Sequence, residues 1–597
     1  MPYLVRSTIG YVGQQNPWNA EYAILDVDGD GDRDIIIAQL RVPIENVGNP
    51  LIVLLNDGSG GFTNGTSSIF PNGAPLTVHP RGIVVADFNG DGRPDLFIAD
   101  HGYDTSPYPG AQNRLLLSSG PNGFVDATGR LPQVSDFSHS ATAGDIDGDG
   151  DTDILVMNVY GGTPATGPTT APYILVNDGA GNFTRRDDLL PAAVTGRDQG
   201  YLYLSCRLFD ADGDGDLDLF AGTFGGDSKT TYVSRIYFNN GTGNFSALAA
   251  VDLPQGPFPT SPGVVSVTTA DLNGDGRMDI IANLQGTDFK GHYIQLLINR
   301  ASAGFVDETA QLLPQPAVLT GPWIHSIQAV DLNGDGYVDL IARDGQYPPI
   351  FLNDGTGSFI NLPGSFLDYN NFGTPEGVHL LATDANGDGR IDLLASFPDQ
   401  SLFLFTQQDP GPSQTGTANA DALLGDASNE TLIGLGGEDV IFGGAGNDII
   451  TGGAGADKMV GGAGADDFTD TAVNLNGDTI ADFARGDRIV ITDASGGLSL
   501  GWNGGVLTYG STSISLSNLS NASITAGAAS GGGIQIFYGG PALILSAGPS
   551  VPATSSGASL PTKTWLQASP SMPDSLDASW ASSFGRLDIR LPDDFFG

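Results

Sequence analysis

The chain has 597 residues, 40% of them apolar, which is enough for two to four domains with filled cores. Its 24 Lys+Arg against 68 Asp+Glu leave a formal net charge of -44, which disfavours nucleic acid and anionic membrane surfaces as partners and makes cations the natural counterweight. Cys206 is the one cysteine, so no intrachain disulfide forms, and no stretch approaches a membrane span of about 18 consecutive apolar residues.

Met1–Gly10 shows neither a basic segment followed by an apolar one nor a small-residue cleavage site, so an export address is expected elsewhere in the chain. Aspartate-rich loops of one form then begin at Asp26, Asp87, Asp145, Asp210, Asp271, Asp331 and Asp384, an internal repeat of roughly sixty residues. Short β-branched or apolar runs stand before and after each loop, as in Gly263–Ala270 and Met278–Ala282. A third run follows, and a fourth begins at an N-D-G-x-G-x-F turn, seen at Asn56–Phe62, Asn177–Phe183, Asn239–Phe245 and Asn353–Phe359 and more loosely before Phe124 and Phe305. Four strands per repeat predict propeller blades. The seventh repeat stops after Leu402–Phe405, and Tyr3–Ile9, which has no blade of its own, is expected to supply the missing outer strand and close the ring. The reading is an all-β chain with a seven-bladed β-propeller over residues 1–408. Separate small β-domains are the alternative, disfavoured by the even period and the complementary ends.

The loops carry the chemistry. In the first, Asp26, Asp28 and Asp30 aim carboxylates from alternate residues of a tight turn at one centre, a backbone carbonyl from Asp32 adds a ligand, and Asp34 closes the cage. Asp145, Asp147, Asp149, Asp151 and Asp153 repeat that set, as do Asp210, Asp212, Asp214, Asp216 and Asp218. The remaining loops place asparagine third: Asp87, Asn89, Asp91 and Asp95; Asp271, Asn273, Asp275 and Asp279; Asp331, Asn333, Asp335 and Asp339; Asp384, Asn386, Asp388 and Asp392. All-oxygen, flexible coordination suits Ca²⁺ better than Mg²⁺, so multiple calcium sites are expected. An EF-hand is excluded because its twelfth position needs a bidentate Glu, whereas Ile37, Ile98, Val156, Ala221, Ala282, Ala342 and Ala395 stand there. The bland reading, ions that merely staple strand to strand, is preferred to any catalytic role.

After a linker over residues 409–415, nonapeptides of the form G-G-x-G-x-D-x-U-x begin at Gly416, Gly425, Gly434, Gly443, Gly452 and Gly461. Their sixth residues are Asp421, Glu430, Asp439, Asp448, Asp457 and Asp466, and their eighth are Leu423, Leu432, Ile441, Ile450, Met459 and Phe468. This predicts a parallel β-roll over 416–469, with Asp439, Asp448, Asp457 and Asp466 as calcium ligands and the first two, degenerate nonads as a cap. A further β segment is read at 470–540. Beyond it the chain turns Ser/Pro/Ala-rich and ends Leu591–Gly597, a disordered or weakly ordered C-terminal tail in the expected fold.

The loops and turns resemble the FG-GAP, or VCBS, repeats of integrin α-subunit propellers, and the nonads are similar to the repeats-in-toxin (RTX) family. Those resemblances imply a secreted protein, extracellular or at the cell surface, that folds on calcium after leaving through a type I exporter, with 541–597 as the export signal region. They also imply calcium loops on one propeller face and ligand loops on the other. His79, His139, His325 and His379 precede their loops by five to eight residues, at the start of the innermost strand, and with Trp18 and Trp323 form the candidate ligand site. A glycan or a surface protein is the expected ligand of an adhesin or lectin-like module. An extracellular polysaccharide-degrading enzyme and a structural surface-layer component are the alternatives. There is no H-E-x-x-H, and the G-x-S-x-G match at Gly497–Gly501 lacks the strand-turn-helix context of a nucleophile. Cys206 is read as a buried apolar residue.

Overall fold

The computed structural model describes most of residues 4–538; the larger stretches outside the description are 10–20, 40–47, 104–109, 159–170, 196–201, 225–232, 286–291, 314–323, 363–375 and 539–597. Six four-stranded antiparallel sheets and one five-stranded sheet succeed one another along residues 4–407, and they are the seven blades. Blade one runs outward through Glu21–Leu25, Asp34–Ala38, Ile52–Asn56 and Phe62–Asn64. Its second strand, Asp-Ile-Ile-Ile-Ala, is buried at every residue because neighbouring blades cover both its faces. The same order restarts with Pro80–Ala86, Ser138–Gly144, Leu202–Phe209, Gly263–Ala270 and Ile327–Val330.

Blade seven contains Glu376–Thr383, Asp392–Ser396 and Leu402–Gln407, and its outer strand is Leu4–Ile9, paired antiparallel with Leu402–Gln407 from Leu4↔Gln407 to Ile9↔Leu402. The two ends of the repeat array close the ring, as expected. Asp344–Gln346, from the preceding repeat, adds a fifth strand on the inner side.

A second device crosses between blades. The asparagine that opens the N-D-G turn ends the third strand, and its side-chain amide donates to the carbonyl of the second loop residue in the preceding blade. Asn177 reaches Phe88 (2.8 Å), Asn239 reaches Ile146 (2.7 Å), Asn299 reaches Ala211 (3.0 Å) and Asn353 reaches Leu272 (2.9 Å). Gln407 does the same toward Leu332 (2.9 Å), and Asn56 reaches Ala385 at 2.6 Å across 329 residues, sealing blade one to blade seven. Blade two has Ser118 at this place, too short for the reach.

The roll begins at Ser413–Thr415, ahead of the first nonad, and coils in steps of 18 residues through two parallel ladders. One ladder is Ser413–Thr415, Thr431–Ile433, Ile449–Thr451 and Asp467–Asp470; the other is Ala422–Leu424, Val440–Phe442 and Lys458–Val460. The parallel pairing continues past the last nonad into Thr479–Ile480 and Arg488–Ile491, where the step lengthens to 21 residues. Antiparallel strands up to Ile534–Tyr538 finish both sheets. The eighth nonad residues Leu423, Leu432, Ile441, Ile450, Met459 and Phe468 are buried in the roll core. The flanking Ala422, Leu424, Val440, Phe442 and Val460 point the other way, into a core shared with blades six and seven through Leu332, Ile350, Leu380 and Phe405. The roll is packed on the propeller.

Candidate functional site

In each aspartate loop the first and ninth residues organise the backbone. Asp26 accepts from the Gly29 and Gly31 N–H groups (2.7 and 3.1 Å), with Gly29 and Gly31 at positive φ, so the turn folds back on its own carboxylate. Asp34 is fully buried; one oxygen accepts from the Val27 N–H and the other from the Asn56 N–H, both at 2.8 Å, tying the loop to the third strand. The equivalents Asp95, Asp153, Asp218, Asp279, Asp339 and Asp392 make the same pair of bonds. Burial pushes these carboxyls up, to about 6 in Asp34, Asp95, Asp218, Asp279 and Asp392 and about 7 in Asp153, with neighbouring loop aspartates adding to the rise. The burial and crowding that raise these carboxyls are what a bound cation would relieve.

Three loops bring first, third and ninth carboxylates together: Asp26, Asp28 and Asp34; Asp145, Asp147 and Asp153; and Asp210, Asp212 and Asp218, each set with one oxygen per residue lying within 4.8 Å of the others. Asp28 Oδ1 and Asp147 Oδ1 are buried and accept no hydrogen bond. A hard cation fits such a donor set.

In the roll, the sixth-position acids of the last four nonads each have one oxygen used and one spare. Asp439 Oδ1 accepts from the Asp421 N–H (2.8 Å), Asp448 from Glu430 (2.7 Å), Asp457 from Asp439 (2.9 Å) and Asp466 from Asp448 (2.9 Å). Their Oδ2 atoms are buried with no hydrogen-bond partner, and so is Glu430 Oε1. The spare oxygen lies beside the first glycine of its nonad, Gly434, Gly443, Gly452 or Gly461, where a Cβ would collide with it. Burial pushes Asp439 and Asp466 up to about 6 and Asp448 to about 7. The rows run further than the nonads. Asp478 accepts from the Asp457 N–H at 3.0 Å and keeps a buried, unpartnered Oδ2, Asp487 accepts from Asp466 at 3.1 Å, and Asp482 accepts from Gly461 and Gly462. These three escape the motif because they lie beyond the nine-residue period.

The propeller end opposite the loops holds a second cluster. His79 precedes the first strand of blade two, His101 follows its second strand, and His139 opens blade three. The His101 ring lies 5.0 Å from His79, 5.4 Å from His139 and 4.1 Å from Phe137, centroid to centroid. Beneath them Tyr173 donates to Asp136 at 2.8 Å and accepts from Asn113 at 3.1 Å, while Asp100 accepts from the Val78, His79 and Gly102 N–H groups. Burial raises the Tyr173 hydroxyl well above its ordinary range, with Asp136 adding to it. Of the expected ligand residues the structure joins His79 and His139, and it adds His101, which follows a second strand and so escaped a search for residues preceding loops. His379 lies in Glu376–Thr383 opposite Ser396. Trp18, Trp323 and His325 are outside the described residues, as are Gly497 and the tail from 541. Cys206 is buried, its thiol pushed up to about 12 by burial.

Fold and donor sets together define a calcium-repeat protein of two β parts, a closed propeller and a parallel roll. Family comparison agrees part by part: FG-GAP-like repeats match residues 26–98, 87–156, 210–282 and 331–395, and the RTX calcium-binding nonapeptide repeat (4 copies) matches 415–450 and 433–468. The chain therefore carries a seven-bladed propeller of FG-GAP-like repeats and a solenoid of RTX calcium-binding repeats. No curated protein sequence matches it. Among solved structures, an Agrocybe aegerita lectin studied for recognition of non-reducing terminal N-acetylglucosamine is similar at 18% identity, covering 64% of this chain and 86% of the lectin, with a TM-score of 0.38. Saccharomyces cerevisiae Sqt1 is similar at 11% identity, covering 64% and 83%, with a TM-score of 0.34. The R3 subunit of the Azotobacter vinelandii mannuronan C5-epimerase AlgE6 is 26% identical over 25% of this chain and 94% of that one, with a TM-score of 0.15. Among the described residues no helix is long and apolar enough to cross a membrane.

Proposed function

We propose that the chain leaves the cell through a type I exporter with its calcium sites empty, folds around calcium outside, and presents the propeller face opposite the aspartate loops to a carbohydrate. The observation behind the calcium half is the set of buried, unpartnered carboxylate oxygens on Asp28, Asp147, Asp439, Asp448, Asp457, Asp466 and Asp478. Empty, these oxygens oppose folding; calcium supplies their missing charge, and because it binds the folded form, binding energy becomes folding energy, about 2.7 kcal/mol per site at a hundredfold excess over Kd. A chain of net charge -44 without a disulfide is suited to being threaded while calcium is scarce. The ligand half is supported by the grouping of His79, His101 and His139 at the propeller end opposite the aspartate loops, where His79 and His101 are buried behind a partly exposed His139, an imidazole able to hydrogen-bond to a sugar.

A glycan array probed with the calcium-loaded full chain tests it. Binding that disappears in both His101→Ala and His139→Ala supports a lectin-like site there. Turnover of a bound polysaccharide transfers the assignment to an enzyme, and absence of any binding by the calcium-loaded chain overturns the ligand half.

A further inference from the structure

The seven aspartate loops fall into two kinds. Loops one, three and four have aspartate at both the third and seventh positions: Asp28 with Asp32, Asp147 with Asp151, Asp212 with Asp216. Loops two, five and seven pair asparagine at the third with arginine at the seventh: Asn89 with Arg93, Asn273 with Arg277, Asn386 with Arg390. Loop six has Asn333 with Tyr337. Where the third residue loses its charge, the seventh never keeps one of the same sign.

The side chain at the seventh position has a fixed place. A Cβ built on Gly58, Gly179 or Gly241 meets the carboxylates of Asp32, Asp151 and Asp216, and at Gly120 and Gly355 it meets Arg93 and Tyr337. Each thus lies over the turn between third and fourth strands of its own blade. From there the arginines turn back on the fifth residue, itself a candidate ligand. Arg277 donates to Asp275 through its guanidinium and to the Asn299 carbonyl at 3.0 Å; Arg93 stands 3.7 Å from Asp91, and Arg390 3.9 Å from Asp388. The asparagines of loops six and seven also donate to that residue, Asn333 to Asp335 at 2.8 Å and Asn386 to Asp388 at 3.1 Å. In loops one and three the third residue instead leaves Oδ1 buried without a donor.

We propose that Arg93, Arg277 and Arg390 are internal counter-ions that occupy the fifth-position carboxylate and make their loops weak calcium sites, while the five-aspartate loops of blades one, three and four are the tight ones. The inference rests on the calcium reading of the loops. Replacing the third-position carboxylate by an amide, and the seventh-position carboxylate beside the cage by a guanidinium, leaves three carboxylates and a cation where there were five carboxylates, and affinity follows that local charge, so the two kinds differ by on the order of a hundredfold. The propeller then holds three ions when calcium is low and fills further only at high calcium.

The test counts calcium retained by the full chain after desalting, measured by atomic emission, so that ions held by the roll cancel between variants. Converting loop five with Asn273→Asp and Arg277→Asp raises the count by about one ion per chain, and converting loop four with Asp212→Asn and Asp216→Arg lowers it by about one. The same change at Asn89 and Arg93 repeats the gain in blade two, should either conversion unfold its blade. Asp210→Ala, which removes a first ligand, separates the two levels. If it lowers the count while the conversions leave it unchanged, the counter-ion inference falls alone; if it too changes nothing, the calcium reading of the loop falls with it.

Discussion

A carboxylate with one bonded and one spare oxygen recurs throughout the roll, and it explains why the sixth position of the nonad is acidic and the first is glycine. Asp448 illustrates the division: Oδ1 takes the Glu430 N–H at 2.7 Å, and Oδ2 waits unpartnered against Gly443. This was legible in the sequence, because acid, glycine and apolar positions keep one phase. Asp478 and Asp487 were less so, since the insertion that lengthens the step to 21 residues breaks the period their neighbours obey. His101 was invisible for another reason, that it follows the second strand of the hairpin His79 opens and so does not precede an aspartate loop, while His139 joins it from the next blade. A further histidine permits a prediction free of the metal loops. His292 opens the third strand of blade five, is 7% exposed, has no hydrogen bond at Nδ1, and is lowered by burial to about 4. Its unfolded value is about 6.5, so below that pH the unfolded chain takes up a proton that the folded chain refuses, and stability falls as pH drops from 6.5 toward 4. Against His292→Gln in saturating calcium, the wild-type chain should lose about 2 kcal/mol over that window in urea titrations. Parallel pH curves for the two proteins would contradict the assignment.

At the scale of elements, the blade is legible and the ring is half legible. Alternation of short apolar runs with aspartate loops and N-D-G turns gives the four strands, and the orphan strand at the N-terminus gives the closure, now seen as Leu4–Ile9 against Leu402–Gln407. The asparagine clamp between blades was not readable, because the turn motif accounts for Asn239 locally while its amide acts on Ile146, 93 residues earlier. Removing that amide leaves a buried carbonyl without its donor. Asn239→Ala and Asn353→Ala are each expected to cost about 1–3 kcal/mol in calcium-saturated unfolding experiments. Ser118→Asn supplies the clamp that blade two lacks and should raise stability by about 1 kcal/mol. Equal stability of Asn353→Ala and wild type would show that the clamp contributes nothing.

Over the whole molecule, the roll is packed against the propeller. Odd nonads carry outward apolar residues, Ala422, Leu424, Val440, Phe442 and Val460, and these join the core of blades six and seven. Even nonads put Thr431, Ile433, Ile449, Thr451, Asp467 and Thr469 in the equivalent outward places on the other ladder, a mixed face on which Ile449 is exposed. That two-sided pattern was present in the sequence, but it names only a buried face, and the surface that covers it had to come from the folded propeller. Burial raises the Asp426 carboxyl in the roll, but hydrogen bonds from Ser428 and Glu430 outweigh it and hold the group below its usual range, with Arg390 of the last aspartate loop adding to the lowering, so charge and apolar contact meet at the same joint. Both parts carry calcium-repeat sequences, and both lack disulfides. Thermal unfolding of the purified full chain by far-UV circular dichroism, with excess calcium and after exhaustive chelation, therefore tests the account most directly. A high, cooperative transition is expected with calcium, and a transition lowered by tens of degrees, or lost altogether, without it. Coincident melting curves in the two conditions would contradict it.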